Sequence, residues 1–267
     1  PFRKTALPLF LSGLFFGIGS ASKWIVIYGG AGLCVIYIIH QVRRGLYCKY
    51  ADQLHEYWPY LIKTLLFSIL SFIVIPLLIY YISYWPYGTS QGMSVPSMFF
   101  SSDYFKTVWD NQVFMFTYHS GLEATHSYGS PWWQWVLDIR PILYYREYFN
   151  NDTIKSAISA FGNPAVWWGG LPAIFILAWS AFKRHDGIAL FILIGYLAQL
   201  LPWTIITRVV FIYHYFPSTV FLILALSYIF NRLWEINGNR SEIVVIAYTS
   251  ITAVLFIMFY PSLSAMP

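Results

Sequence analysis

The sequence predicts an all-α membrane protein with about seven transmembrane helices and one large extracytoplasmic loop. Three observations carry this. Of 267 residues, 58% are hydrophobic and only 10% are charged. Aromatic side chains make up 21%. Seven apolar runs reach roughly the 17–25 residues that span a bilayer. A soluble domain is about 25% charged, and one core could not hide this much apolar surface. A soluble enzyme, a disordered chain and a disulfide scaffold are thereby excluded.

The runs lie at about 6–22, 24–40, 61–84, 165–182, 187–204, 209–230 and 243–260. The first is loosened by Gly13, Gly17 and Gly19, which would let helices pack closely. Pro76 falls inside the third, where a membrane helix tolerates a kink.

Loop charge orients the spans. Arg3, Lys4, Arg43, Arg44, Lys49, Lys63, Lys183, Arg184, Arg232 and Arg240 fall on one side if seven crossings alternate. The other side receives Lys23, Lys106, Arg140, Arg146, Lys155 and Arg208, four of them in one long loop. The expected N-terminal end is cytoplasmic. The long loop and the C-terminal end are expected outside. The net charge of +5 reflects this distribution and implies no nucleic acid. Cys34 and Cys48 form neither a CxxC pair nor a framework and are expected as free thiols. The chain starts at Pro1 and is expected to be the C-terminal segment of a longer protein, folded as one membrane domain over 1–267.

The outer loop, about 85–164, is rich in Trp, Tyr, His and Pro. Asp103, Asp110, Glu123, Asp138, Glu147 and Asp152 make it mildly acidic. Segment 103–127 is expected as an amphipathic helix on the membrane surface. On such a helix His119, Glu123 and His126 share one face, at i, i+4 and i+7. Two imidazoles and a carboxylate could bind a divalent metal, hold a sugar hydroxyl or phosphate, or form a polar interfacial face. The spacing is not that of zinc proteases.

Trp132, Trp133 and Trp135 follow Ser130-Pro131 and precede an Asp138/Arg140 pair that reads as buried. Indoles can form an aromatic belt, or present flat faces to sugars and isoprenoids. A second constellation is 202–217, PWTIITRVVFIYHYFP. Arg208 there stands at the outer end of two spans, with Tyr213, His214 and Tyr215 close behind. A guanidinium pairs well with phosphate, and it can also snorkel to headgroups. Lys23-Trp24 invites the same two readings, the anchor foremost. Asn151-Asp152-Thr153 matches a glycan acceptor pattern. No GxSxG elbow, P-loop or dinucleotide fingerprint is present.

The strings THSYGSPWWQWVLDIRPILYY (125–145), KRHDGIALFILIGYLAQLLPW (183–203) and TRVVFIYHYFPS (207–218) resemble the C-terminal membrane part of the protein O-mannosyltransferases, nearest the bacterial, lipid-carrier-dependent branch. SASKW (20–24) and YPSLSAMP (260–267) look like family positions too. One departure is Val136, where the family pattern has Pro.

The resemblance implies a GT-C-like fold whose last seven crossings these are. It implies an outward-facing site in the bacterial plasma membrane, or in the ER membrane of a eukaryote. It implies a polyprenyl-phosphate sugar donor and a secreted or membrane protein acceptor. Arg208, Tyr213, His214 and Tyr215 would hold the donor phosphate. His126, Ser130, Trp132, Trp133, Trp135 and Arg140 would shape the acceptor and sugar side, with His119, Glu123 and Asp138 on the same loop. The family's acidic general base lies in a first external loop, upstream of these residues. No firm cofactor is implied, and a divalent cation stays open. A transporter is the competing reading, but charges here crowd the outer face and no inverted repeat is visible. A non-catalytic scaffold with an aromatic partner-binding loop is a third.

Overall fold

The computed structural model describes residues 2–149 and 154–266. The NDT pattern, with Asp152, lies outside them. Helices α1 (Phe2–Ser22), α2 (Val26–Tyr50) and α3 (Leu54–Ile69) come first. A π-helical turn, Leu70–Val74, joins α3 to α4 (Ile75–Ser83), and α5 (Trp85–Ser90) prolongs it. A 3-10 turn at Ser97–Phe100 leads into α6 (Ser102–Ser120), and α7 is the short Trp132–Val136. Strands β1 (Ile142–Phe149) and β2 (Ile154–Ala160) precede α8 (Pro164–Lys183), α9 (Gly187–Leu200), α10 (Phe216–Asn237) and α11 (Asn239–Ser264).

Among the described residues, seven helical stretches are long and apolar enough to cross a membrane: Phe2–Ser22, Val26–Tyr50, Leu54–Ser90, Pro164–Lys183, Gly187–Thr204, Ile212–Asn237 and Asn239–Ser264. They match the seven apolar runs. The chain is a multi-pass integral membrane protein. Large apolar side chains such as Phe15, Phe175 and Ile243 stand exposed, as a lipid solvent allows. The chain forms two compact units, Pro1–Leu122 and Glu123–Pro267.

In the first unit, glycines set the helix contacts. A Cβ on Gly13 would stand 2.1 Å from the Ser71 carbonyl oxygen, and one on Gly17 would stand 2.9 Å from the Pro76 Cα. Ser71 lies in the π turn, where the Ile75 N–H donates to the Leu70 carbonyl. Pro76 has no N–H to give, so the helix changes pitch just before it. Further along, the Trp24 indole donates to the Tyr80 hydroxyl at 2.9 Å. Tyr80 donates to Gln112 Oε1 at 2.8 Å, and Gln112 Nε2 donates to the Tyr84 hydroxyl at 2.8 Å. Tyr104, fully buried, roots α6 beside Met98 and Val108.

The long loop differs from its expected form in two places. The surface helix ends at Ser120 and not at 127. Gly121 follows, its N–H bonded back to the Thr117 carbonyl, and glycine is a costly residue to hold in a helix. Ile142–Phe149 and Ile154–Ala160 pair as antiparallel strands, the only sheet among the described residues, with Arg146 opposite Ala157 and a bulge between Leu143 and Tyr145. Pro141 cannot extend a helix, and ILYYREYF is rich in strand-favouring aromatics.

In the second unit small residues let α8, α9 and α10 approach. A Cβ on Gly170 would meet Leu222 at 2.8 Å, and one on Gly195 would meet Phe221 at 2.0 Å. Asp186 caps α9, accepting the N–H groups of Ile188 and Ala189 at 2.9 and 3.0 Å. Its other oxygen takes Tyr228 and Arg232 of α10, and Tyr228 bonds Ser180 of α8 at 2.6 Å. Cys34 and Cys48 are free thiols.

Candidate functional site

The site is built around the end of α7. This short helix closes with a Schellman motif: the Asp138 N–H reaches the Trp135 carbonyl and the Ile139 N–H reaches the Gln134 carbonyl, both at 3.0 Å. Asp138 takes the left-handed conformation there, with φ of 55°, which Asp tolerates better than most residues. Val136 is the last helical residue. Indoles of α8 add further bonds to this end, the first to a carbonyl the Schellman turn already uses. Trp167 Nε1 donates to the Trp135 carbonyl at 2.6 Å, and Trp168 Nε1 to the Leu137 carbonyl at 3.1 Å.

The left-handed turn aims the Asp138 side chain at Gly162, whose N–H is shared by both carboxylate oxygens at 3.1 Å. Burial pushes its pKa up to about 6, against the opposing pull of that hydrogen bond. Gly162 is required by space, since a Cβ would fall 1.8 Å from the Trp167 ring. Asn163 then caps α8 by accepting the Ala165 N–H at 3.1 Å, and Pro164 stands at the first helical position.

The two sequence constellations meet here. The Ser130 N–H donates to the Val210 carbonyl at 2.9 Å. Trp135, fully buried, donates its indole N–H to both the carbonyl and Oγ of Ser130 at 2.9 Å. His214 stacks on Trp135 with ring centres 5.8 Å apart and planes at 22°. Trp203 and Tyr213 each approach His214 to 4.3 Å. His214 Nδ1 lies 2.9 Å from the Phe211 carbonyl oxygen and 3.2 Å from the Phe211 nitrogen. Tyr215 is fully buried, and its hydroxyl meets that of Tyr196 at 2.8 Å. Arg208 is half-buried and donates to the Val209 carbonyl at 3.3 Å. It stands close enough to Tyr213 for its charge to act on the phenol. Tyr144, the bulge residue of β1, lies 6.4 Å from Tyr213 between ring centres.

The remaining predicted residues go elsewhere. His119 is exposed near the end of α6, in the first unit. Glu123 and His126 are exposed beyond the helix, in the second unit. The helical spacing that would have aligned the three is therefore absent. Among the described residues, no group of three or more His, Cys, Asp or Glu side chains is placed to hold a metal ion. His126 instead accepts the Tyr128 N–H at 3.1 Å and sets its ring edge-on to Phe211. Asp138 and Arg140 do not pair: Arg140 is exposed and donates to the Ser127 carbonyl. Trp132 is half-buried and Trp133 exposed.

The reading of the residues missed Gly162, Trp167, Tyr196 and Tyr144 as members of this cluster. The Gly-Asn-Pro at 162–164, a turn followed by a helix start, was the local signal for the first two.

Residues 104–267 match the family described as the C-terminal four TMM region of protein-O-mannosyltransferase. A polyprenol-phosphate-mannose–protein mannosyltransferase of Mycobacterium tuberculosis is 24% identical over 97% of this chain and 54% of its own length. One from Corynebacterium glutamicum is 25% identical over 94% of this chain and 53% of its own length. The chain thus spans about half the length of these curated relatives. In fold it resembles the S. cerevisiae protein O-mannosyltransferase Pmt1–Pmt2 complex bound to the sugar donor. That likeness has a TM-score of 0.50 at 22% identity, and covers 66% of this chain and 25% of that one. The chain belongs to the protein-O-mannosyltransferase family.

Proposed function

We propose that this chain is the membrane part of a glycosyltransferase. It transfers mannose, or a related hexose, from a polyprenyl-phosphate donor to Ser/Thr hydroxyls of secreted or membrane proteins. The transfer takes place on the extracytoplasmic face, where the loop 85–164 and the aromatic cluster lie. The observation that carries this is the joining of both family motifs into one cluster, with the half-buried Arg208 beside Tyr213. The relatives' names supply the donor and acceptor class.

In the reaction the acceptor hydroxyl attacks the anomeric carbon. The bond from that carbon to the phosphate oxygen breaks, and the lipid phosphate leaves with the electron pair. Arg208 stabilises the charge that develops on the phosphate, and Tyr213 donates a hydrogen bond beside it. His214 packs on Trp135 and is fixed through Phe211, Tyr215 bonds Tyr196, and His214 stacks on Tyr213. A carboxylate takes the hydroxyl proton. Asp138 is occupied by Gly162, and the family's base lies upstream of these residues.

The test is transfer by the full-length protein from a labelled polyprenyl-phosphate mannose. Arg208→Ala is expected to abolish transfer while the protein stays in the membrane. Full activity of that variant overturns the phosphate role. Solute flux without transfer would favour a transporter.

A further inference from the structure

The hairpin is not absorbed by the chemistry above. Its two outer edges differ. That of β2 is occupied by the chain itself: the Ala157 carbonyl accepts the Ala265 N–H at 3.2 Å, and Ser156 Oγ donates to the Ala265 carbonyl at 2.6 Å. Among the described residues that of β1 stands open, and residues 144–149 are exposed. Four of these are large aromatics, Tyr144, Tyr145, Tyr148 and Phe149, each 40% exposed or more. Arg146 and Glu147 add one charge of each sign. An open strand edge is a template for pairing with another extended chain, and a two-stranded hairpin gains stability from a third strand.

We propose that the outer edge of β1 docks the acceptor polypeptide, which adds as a third strand alongside residues 144–149. This rests on the proposed transfer to proteins. The location argues for that occupant. The bulge at Tyr144 interrupts the ladder where β1 comes nearest the site, and bulges of this kind re-aim a side chain or end pairing. Tyr144 lies against Tyr213, which neighbours Arg208. A strand added here runs toward the leaving phosphate, so a Ser or Thr at its end enters beside the donor. The chemistry fits as well. Main-chain pairing supplies affinity without demanding a sequence, which suits an enzyme whose acceptors share only a hydroxyl. The aromatic side chains of β1 would pack on whichever alternate residues the acceptor presents.

The experiment is an N-methyl scan of a Ser/Thr acceptor peptide with the full-length protein. Methylating one backbone nitrogen removes one donor. Strand addition predicts a period of two: alternate positions raise the acceptor KM by about tenfold, as a lost hydrogen bond would, and the intervening ones do not. The donor KM stays unchanged. In a second arm, p-benzoylphenylalanine replaces Tyr148 and crosslinks the labelled peptide. The same replacement at Lys155 in β2 does not. A scan with no periodicity, or crosslinking absent at 148, overturns the docking while transfer itself still supports the enzyme. Failure to transfer to any peptide or protein acceptor overturns both.

Discussion

His214 lies stacked on Trp135, 5.8 Å between ring centres, and so locks the loop before α10 onto the short helix α7. Trp135 is fully buried and spends its N–H on Ser130, while His214 is fixed through Phe211. Trp135→Ala is expected to destabilise the second unit by about 3–5 kcal/mol, the usual cost of emptying a large aromatic site. Trp135→Phe keeps the stack and loses the bonds to Ser130, for about 1–2 kcal/mol. Thermal unfolding in detergent, followed beside transfer activity, separates the two.

The carboxyl of Asp138 is held near pKa 6 by burial. Its unfolded value is about 3.9. Between these values the folded state binds more protons, so stability falls as pH rises from about 4 to 6. Asp138→Asn keeps the left-handed turn and one acceptor for Gly162. It is expected to abolish this pH dependence and to be at least as stable as the parent at pH 7. Asp138→Ala loses the acceptor and strains the turn by about 1–2 kcal/mol. Melting temperatures across pH 4–8 check the set, and a slope unchanged in Asp138→Asn would refute the assignment.

Gly162→Ala should cost more than its size suggests. The added methyl meets the Trp167 ring at 1.8 Å, and that indole caps the end of α7. Overpacking of this kind costs about 1–3 kcal/mol. Transfer is expected to drop with stability, and Trp167→Leu in the same chain should recover part of the stability. Melting of the single and double variants tests this.

Asp186 ties α9 to α10 through one carboxylate, and Tyr228 carries the tie on to Ser180 of α8. Asp186→Ala removes the α9 cap, worth about 1 kcal/mol, and takes one partner each from Arg232, which keeps Glu235, and Tyr228, which keeps Ser180. Asp186→Asn is expected to retain most of the cap and lose the ion pair. The order of stability, parent above Asn above Ala, is read by denaturant titration in micelles.

The seven spans were legible because lipid imposes a length and a polarity on every crossing. The aromatic motifs were legible as motifs. Their meeting was not, because the Ser130–Val210 and Trp135–His214 contacts join segments far apart in the chain. The strands escaped because β1 shows little alternation of buried and exposed residues, being exposed along most of its length. The His119, Glu123 and His126 alignment failed at one residue, Gly121, where a single helix end cancelled a spacing argument.

The π turn at Leu70–Val74 has a consequence for the far end of its helix. It holds one residue more than an α-helical path would need. Wound as a regular α-helix without loss of a residue, the same stretch would rotate everything beyond it by about 100°. Tyr80 and Tyr84 would swing away from Trp24 and Gln112. The π turn beside Gly13 thus absorbs a surplus residue and keeps the tyrosines at the far end of the helix in register with their partners.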